Sequence, residues 1–293
     1  MRSLVAMLFA VLASGSAAQT TMSSLNIPAE AKPGSIVRIS VDVGAARDSA
    51  TSVTGTMSGE RLHFRELALG TWHAIGAISP DAMGQVSANA TINFASGRTD
   101  NVSGSTHVVG HPPSHGKPPA LSVSTRFTKP MDSATQARVD RENATAREIG
   151  RASHDTPPMW STAFRRPRAA VITSAFGSGR LFNGTLTSRH LGVDFRGKTG
   201  DPIVAANRGV VALVGNFFLA GNVVYIDHGA GIVTAYFHMS KTLVANGDTV
   251  ERGQTIGLVG ATGRVTGPHL HWSARYGTLT VNPLDLVALG SSW

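Results

Sequence analysis

Gly209-Val210-Val211-Ala212-Leu213-Val214-Gly215, Asn222-Val223-Val224-Tyr225-Ile226 and Gly231-Ile232-Val233-Thr234-Ala235-Tyr236 are three short apolar runs separated by glycines and polar turn residues. They are rich in β-branched residues and too short for ordinary helices, and their glycines fall at hairpin and bulge spacing, so they read as strands of a mostly antiparallel sheet. Pro202-Ile203-Val204-Ala205 adds another strand, and no long amphipathic helix is expected after Ala170. Toward the N-terminus the period is again two. Val37, Ile39, Val41 and Val43 alternate with Arg38, Ser40 and Asp42, and Val86, Ala88, Ala90, Ile92 and Phe94 alternate with polar neighbours. With turn residues at Pro33-Gly34, Gly59, Gly70, Gly84 and Ser96-Gly97, residues 22–110 are expected to form a β-sandwich of immunoglobulin-like type with Trp72 in its core. The fold class is therefore mainly β.

Between these regions lies His111-Pro112-Pro113-Ser114-His115-Gly116-Lys117-Pro118-Pro119, a stretch in which proline removes donors and glycine loosens the chain. Its two histidines need no role beyond solvation. From Pro130 to Gly150 a polar segment with a thin apolar stripe is expected to make one helix that braces two domains, with an Arg138/Glu142 contact at i,i+4. The basic cluster Arg165, Arg166 and Arg168 follows, either a solvated edge or a polymer-binding patch. Residues 111–168 are thus a linker with a bracing helix, and residues 169–293 a second β domain.

A chain of 293 residues that is 42% hydrophobic and 15% charged is globular, and no apolar run approaches the roughly 18 residues that cross a bilayer. Arg2, the apolar stretch Leu4 to Leu12 and Ser16-Ala17-Ala18 have the order of a secretory signal peptide, expected to be cleaved after Ala18. Export, with the periplasm of a bacterial envelope as the expected destination and full secretion as the alternative, gives the formal charge of +8 an anionic wall or lipid environment. Nucleic acid is not expected as a partner, because aromatics are only 6% and no Lys/Arg block occurs. The absence of cysteine excludes disulfides, thiolate metal sites and a cysteine nucleophile.

Five of the 11 histidines lie beyond Ala170. In a strand, His269 and His271 project from one face while Leu270 points to the other. His190 and Asp194 supply an imidazole and a carboxylate, both ligand types for zinc. Four extended residues span about 13 Å, so the chain must bend between them, and Gly192 is the residue that allows it. His238 ends the run from Ile232 to Phe237, with Tyr236 expected on its side, and is either a half-buried strand residue or part of a site. His228, in a glycine-rich turn, reads as structural.

The order His190-x-x-x-Asp194, Tyr236-Phe237-His238 and Gly267-Pro268-His269-Leu270-His271-Trp272 resembles the lysostaphin/LytM-type zinc metallopeptidases that cut peptide cross-links of bacterial peptidoglycan. The resemblance runs from Ala170 to Leu286 and includes Ser174-Ala175-Phe176-Gly177, Gly260-Ala261-Thr262-Gly263 and Asn282-Pro283-Leu284. It implies one zinc ion per chain held by His190, Asp194 and His271, with His238 and His269 sharing the catalytic proton transfer and oxyanion stabilisation. Peptidoglycan peptides would be the substrate. A wall-binding adaptor or activator without activity is the alternative, disfavoured because none of the five residues is replaced. The resemblance also places loops at Gly177–Arg189 and Asn216–Gly221 as walls of a peptide groove. Asn183 and Arg180 then either contact substrate or, for Asn183, plug the metal or serve an ordinary turn.

Overall fold

A computed structural model of the chain describes residues 22–44, 48–110, 120–184 and 186–290. The signal-peptide reading and the Pro-rich stretch with His111 and His115 lie outside the described residues.

The N-terminal part is two layers over one core, antiparallel except where Glu30–Ala31 pairs in parallel with Thr99–Val108. One sheet runs Ser24–Asn26, Ile36–Asp42, Thr71–Ala77, Arg65–Ala68; the other contains Glu30–Ala31, Thr99–Val108, Gly84–Phe94, Ala50–Met57 and Glu60–His63. The alternation decides which side chains enter. Val37, Ile39 and Val41 from one layer meet Ala88, Ala90, Ile92 and Phe94 from the other. Trp72 sits at the margin of this core and is only partly buried.

The C-terminal part is built on one antiparallel sheet ordered Ile172–Ser174, Val193–Arg196, His269–Tyr276, Ile232–Thr242, Gly221–Gly229, Gly209–Phe217, Thr249–Val250. The three apolar runs that open the sequence reading are its centre. Val224, Ile226, Ile232, Tyr236, Leu270 and Trp272 point to one face and are fully buried. A short helix, Pro283–Ala288, closes that core through Leu286.

The helix Ser133–Ser153 is capped by Asp132, whose side chain accepts from Thr135 N, and carries the Arg138–Glu142 pair at 2.7 Å. It packs on the other face of the sheet, where Ala146 and Ile149 meet Val223, Tyr225, Val233 and Ala235. Its approach is close: a Cβ on Gly150 would stand 1.9 Å from Gly277 O. At its end, His154 bonds Glu60 Oε2 at 2.9 Å and His63 at 2.8 Å, while Glu60 Oε1 accepts from Thr278 N. Sandwich, helix and C-terminal sheet therefore meet in one buried polar junction, and Ile36, Ile75 and Ala77 extend the C-terminal core into the sandwich.

Candidate metal centre

The strand Val193–Arg196 pairs with His269–Tyr276 in a register that sets Asp194 opposite His271 and Arg196 opposite His269. His269 and His271 share the face away from Leu270, which is fully buried in the core. His190 lies just before this strand, and the turn at Leu191-Gly192 brings its ring back over Asp194. His190 Nε2, His271 Nδ1 and Asp194 Oδ1 form a triangle with sides of 2.9, 3.0 and 2.9 Å. All three residues are buried.

Two imidazole nitrogens and one carboxylate oxygen are a donor set suited to zinc. Ligands about 2.0–2.2 Å from a tetrahedral ion lie roughly 3.3–3.6 Å apart, so small side-chain rotations open the triangle to that size. The surroundings orient the donors. His190 Nδ1 donates to Ala175 O at 3.0 Å, which leaves Nε2 as a lone pair facing the triangle. Arg180 pairs with Asp194 Oδ2, leaving Oδ1 for the imidazoles. Burial alone would raise the Asp194 carboxyl, but the His190 and His271 rings set against it hold it far below the usual carboxylate range. Burial pushes His271 down to about 4 against the pull of Asp194, so both donors keep their ligating protonation state at neutral pH.

His238 and His269 stand beside the triangle, their ring centroids 4.9 Å apart, with His238 5.9 Å from His271 and His269 Nε2 3.7 Å from Asp194 Oδ1. Both rings have Nδ1 against a backbone carbonyl, Thr262 O at 2.8 Å for His238 and Gly267 O at 2.9 Å for His269. A carbonyl only accepts, so Nδ1 carries the proton and Nε2 keeps its lone pair in both. Burial, then the neighbouring His269 and His271, press His238 well below the ordinary histidine range.

The position of Tyr236 corrects the sequence reading. Tyr236 faces the core and its hydroxyl accepts from Ala206 N at 2.8 Å. Phe237 is the residue on the site face, stacked on His271 with centroids 5.1 Å apart and planes at 2°. Simple alternation would send His238 into the core with Tyr236. Instead the strand does not end at Phe237 but runs Ile232–Thr242, with one extra residue between the pairs Tyr236–Val224 and Met239–Asn222. His238 takes a left-handed φ of 64° there, and its N–H donates to Ala220 O at 2.9 Å. This bulge re-aims the imidazole at the site, a backbone conformation costing about 1–2 kcal/mol for a residue with a Cβ.

A groove of about 420 Å³ beside the triangle is lined by Leu121, Arg180, Phe182, Asp194, Arg264 and His269, among others. A second recess of about 340 Å³ shares Arg180 and Arg264 and reaches Phe217, Leu219 and the helix at Glu142 and Ala146. The segment Gly177–Arg189 is a hairpin, Gly179–Phe182 with Leu186–Arg189, and 216–221 is the turn between two long strands. Asn183 bonds Val123 and Thr128 rather than any member of the triangle. His228 is fully buried between Arg208 O and Thr234 Oγ1, a structural role. Arg168 in the basic cluster is tied to Asp201 and Pro202 O. Sequence reasoning missed Arg264, Ser174, whose Oγ lies 3.0 Å from His190 Nδ1, and the orienting carbonyls of Ala175, Thr262 and Gly267. Three of those five, Ser174, Ala175 and Thr262, lie inside short motifs quoted for the family resemblance, and Gly267 opens the His-x-His segment.

The Peptidase family M23 model matches residues 188–283, a span that contains all five site residues. The peptidoglycan DD-endopeptidase ShyA of Vibrio cholerae is 48% identical over 102 residues, 34% of this chain and 24% of ShyA. The DD-carboxypeptidase/endopeptidase Mpg of Neisseria gonorrhoeae is 42% identical over 97 residues, 33% of this chain and 22% of Mpg. The chain thus covers only about a quarter of these curated relatives. Among solved structures, a Pseudomonas aeruginosa chain assigned to peptidase M23 superposes with a TM-score of 0.64 at 25% identity, covering 89% of this chain and 95% of that one.

Proposed function

This chain carries a Peptidase family M23 domain, and from that premise we propose that it is an exported zinc endopeptidase hydrolysing peptide cross-links or bridges of bacterial peptidoglycan. The observation that carries the reading is the closed triangle of His190, Asp194 and His271 with two further imidazoles, both presenting Nε2, at its side. The name of ShyA, a peptidoglycan DD-endopeptidase, supports the substrate class, and that of Mpg, a DD-carboxypeptidase/endopeptidase, supports the reaction. The signal-like order of Arg2, Leu4 to Leu12 and Ser16-Ala17-Ala18 supports export, with the periplasm as the site of action.

His190, Asp194 and His271 would hold the metal, which supplies Lewis acidity toward the scissile carbonyl and lowers the pKa of an attacking water. The remaining work falls to the chain. His238, kept neutral by burial, takes a proton at Nε2 while Thr262 O holds its Nδ1–H. His269 Nε2 lies on the groove side and, once protonated, donates to the developing oxyanion or to the leaving amine. Phe237 and Leu219 exclude water from the floor and wall. No Glu adjoins a ligand, so the two imidazoles are the available proton carriers.

Incubation of the zinc-loaded protein with purified sacculi, followed by mass spectrometry of released fragments, tests the reading and identifies the bond. Release of monomeric muropeptides from cross-linked material is expected. A protein that binds one zinc per chain and releases nothing would be the wall-binding adaptor instead.

A further inference from the structure

The groove beside the metal triangle holds more positive charge than its one carboxylate balances. Arg180, Arg196 and Arg264 line it with Asp194 and His269. Arg180 is committed to Asp194. Neither Arg264 nor Arg196 has an ion-pair partner among the described residues, and the guanidinium of Arg264 lies 4.5 Å from the centroid of the Phe182 ring, which holds the cation but offers no acceptor. Arg264 is half-buried, and it lines both the groove and the recess on the other side of Arg180. Burial, then the charge of Arg180, press its pKa down, yet a guanidinium remains protonated under any ordinary condition.

A partly desolvated guanidinium with unfilled donors is costly unless an anion completes it. The planar fork of arginine suits a carboxylate, which it binds through two parallel N–H donors. The groove also contains Asp194 and His269, so an anion held there lies in the same groove as the bond presented to the metal triangle. We propose that Arg264, supported by Arg180 and Arg196, binds a free carboxylate of the substrate peptide next to the scissile amide and so selects acidic over amidated peptides. This rests on the endopeptidase reading above and names the chemistry its substrate must carry.

The test uses the full-length zinc-loaded protein and a matched pair of cross-linked peptides that differ only in a carboxylate or a carboxamide flanking the cleaved bond. The wild type is expected to favour the acid roughly 10- to 100-fold in kcat/KM, expressed mainly in KM. Arg264→Gln should bring that ratio to about one, and Arg264→Lys, which keeps the charge but loses the fork, should fall between. Direct binding of the same pair to the His238→Ala protein and to its Arg264→Gln derivative gives the same comparison without turnover. An acid-to-amide ratio near one in the wild type, or one that survives Arg264→Gln in a variant of normal zinc content and melting temperature, overturns the proposal. If neither peptide is cleaved, the endopeptidase reading fails, and the binding ratio alone decides the carboxylate site.

Discussion

Gly192 lies so close to His271 that a Cβ at position 192 would stand 2.4 Å from Nε2 and 2.6 Å from Cε1 of the imidazole. Phe237 stacks in parallel on the same ring, with centroids 5.1 Å apart, and so restricts its movement. Gly192 is not in the left-handed region, so its role is space rather than backbone freedom. Gly192→Ala should tip the His271 ring and pull Nδ1 out of the triangle. Zinc affinity is expected to fall roughly 10- to 100-fold, the range seen when a ligand loses its orienting contacts. Zinc retained after dialysis against a competing chelator measures this; wild-type retention would show that the ring is not held by this contact.

The two kinds of histidine separate by what their loss removes. His271→Ala deletes one corner of the triangle and should leave the purified protein with little zinc. His238→Ala leaves the three donors intact, so zinc content should stay near one per chain while turnover falls roughly 10²- to 10⁴-fold. Metal analysis and muropeptide release on the same preparations check both. Substantial turnover by the His238→Ala protein would remove His238 from the proton transfer.

His228 makes stability depend on pH. Its ring belongs to a hydrogen-bonded chain: Ala206 N–H donates to the Tyr236 hydroxyl, which lies 2.9 Å from Thr234 Oγ1, Thr234 Oγ1 lies 2.8 Å from His228 Nε2, and His228 Nδ1–H donates to Arg208 O, so the neutral ring keeps its lone pair at Nε2. A proton on Nε2 would break the chain, and burial depresses the pKa of His228 from 6.5 to about 4. The unfolded chain therefore takes up this proton first as pH falls. The contribution is complete above pH 6.5 and is lost between 6.5 and about 4, on the order of 3 kcal/mol. His63 and His271, also depressed to about 4, act in the same window. Melting temperature should drop across that range, less steeply in His228→Gln; identical slopes would exclude His228 as a contributor.

How much of this was legible in the sequence follows from which features are local. Alternation at Ile39, Val41, Ala90 and Ile92 marks a core face directly, and the i,i+2 spacing of His269 and His271 sets both on one side of a strand. The Arg138–Glu142 pair is local as well, and the helix expected between Pro130 and Gly150 forms over 133–153. The re-aiming of His238 is not local. It depends on one residue inserted relative to a neighbouring strand, so alternation placed Tyr236 on the wrong face. Gly192 was read as a bend, because the clash that demands glycine involves a residue 79 positions away. Arg264 was missed because an arginine after a glycine turn reads as solvated until Phe182 and Arg180 are brought against it.

Asn183 fastens the segment 120–128 along the wall of the groove. It sits in a left-handed turn position, φ 47°, and its side chain reads both polar groups of one residue: Oδ1 accepts from Val123 N and Nδ2 donates to Val123 O, each at 2.9 Å. Nδ2 also reaches Thr128 Oγ1 at 3.1 Å, and Ala120–Leu121 pairs in parallel with Gly179–Phe182. Phe127 adds a buried contact with Phe182. Asn183→Gly preserves the turn conformation but removes these side-chain bonds, worth about 2–3 kcal/mol together. Local opening of the segment should then be roughly 30- to 150-fold more frequent, with little change in global melting temperature. Trypsin at Arg126 reports it, and so does hydrogen exchange at the Val123 amide. Because Leu121 lines the groove beside Asp194 and His269, the same variant should also let peptides enter faster, lowering KM or raising kcat/KM. Unchanged nicking and exchange would mean that the apolar contact of Phe127, not the amide of Asn183, holds this strap in place.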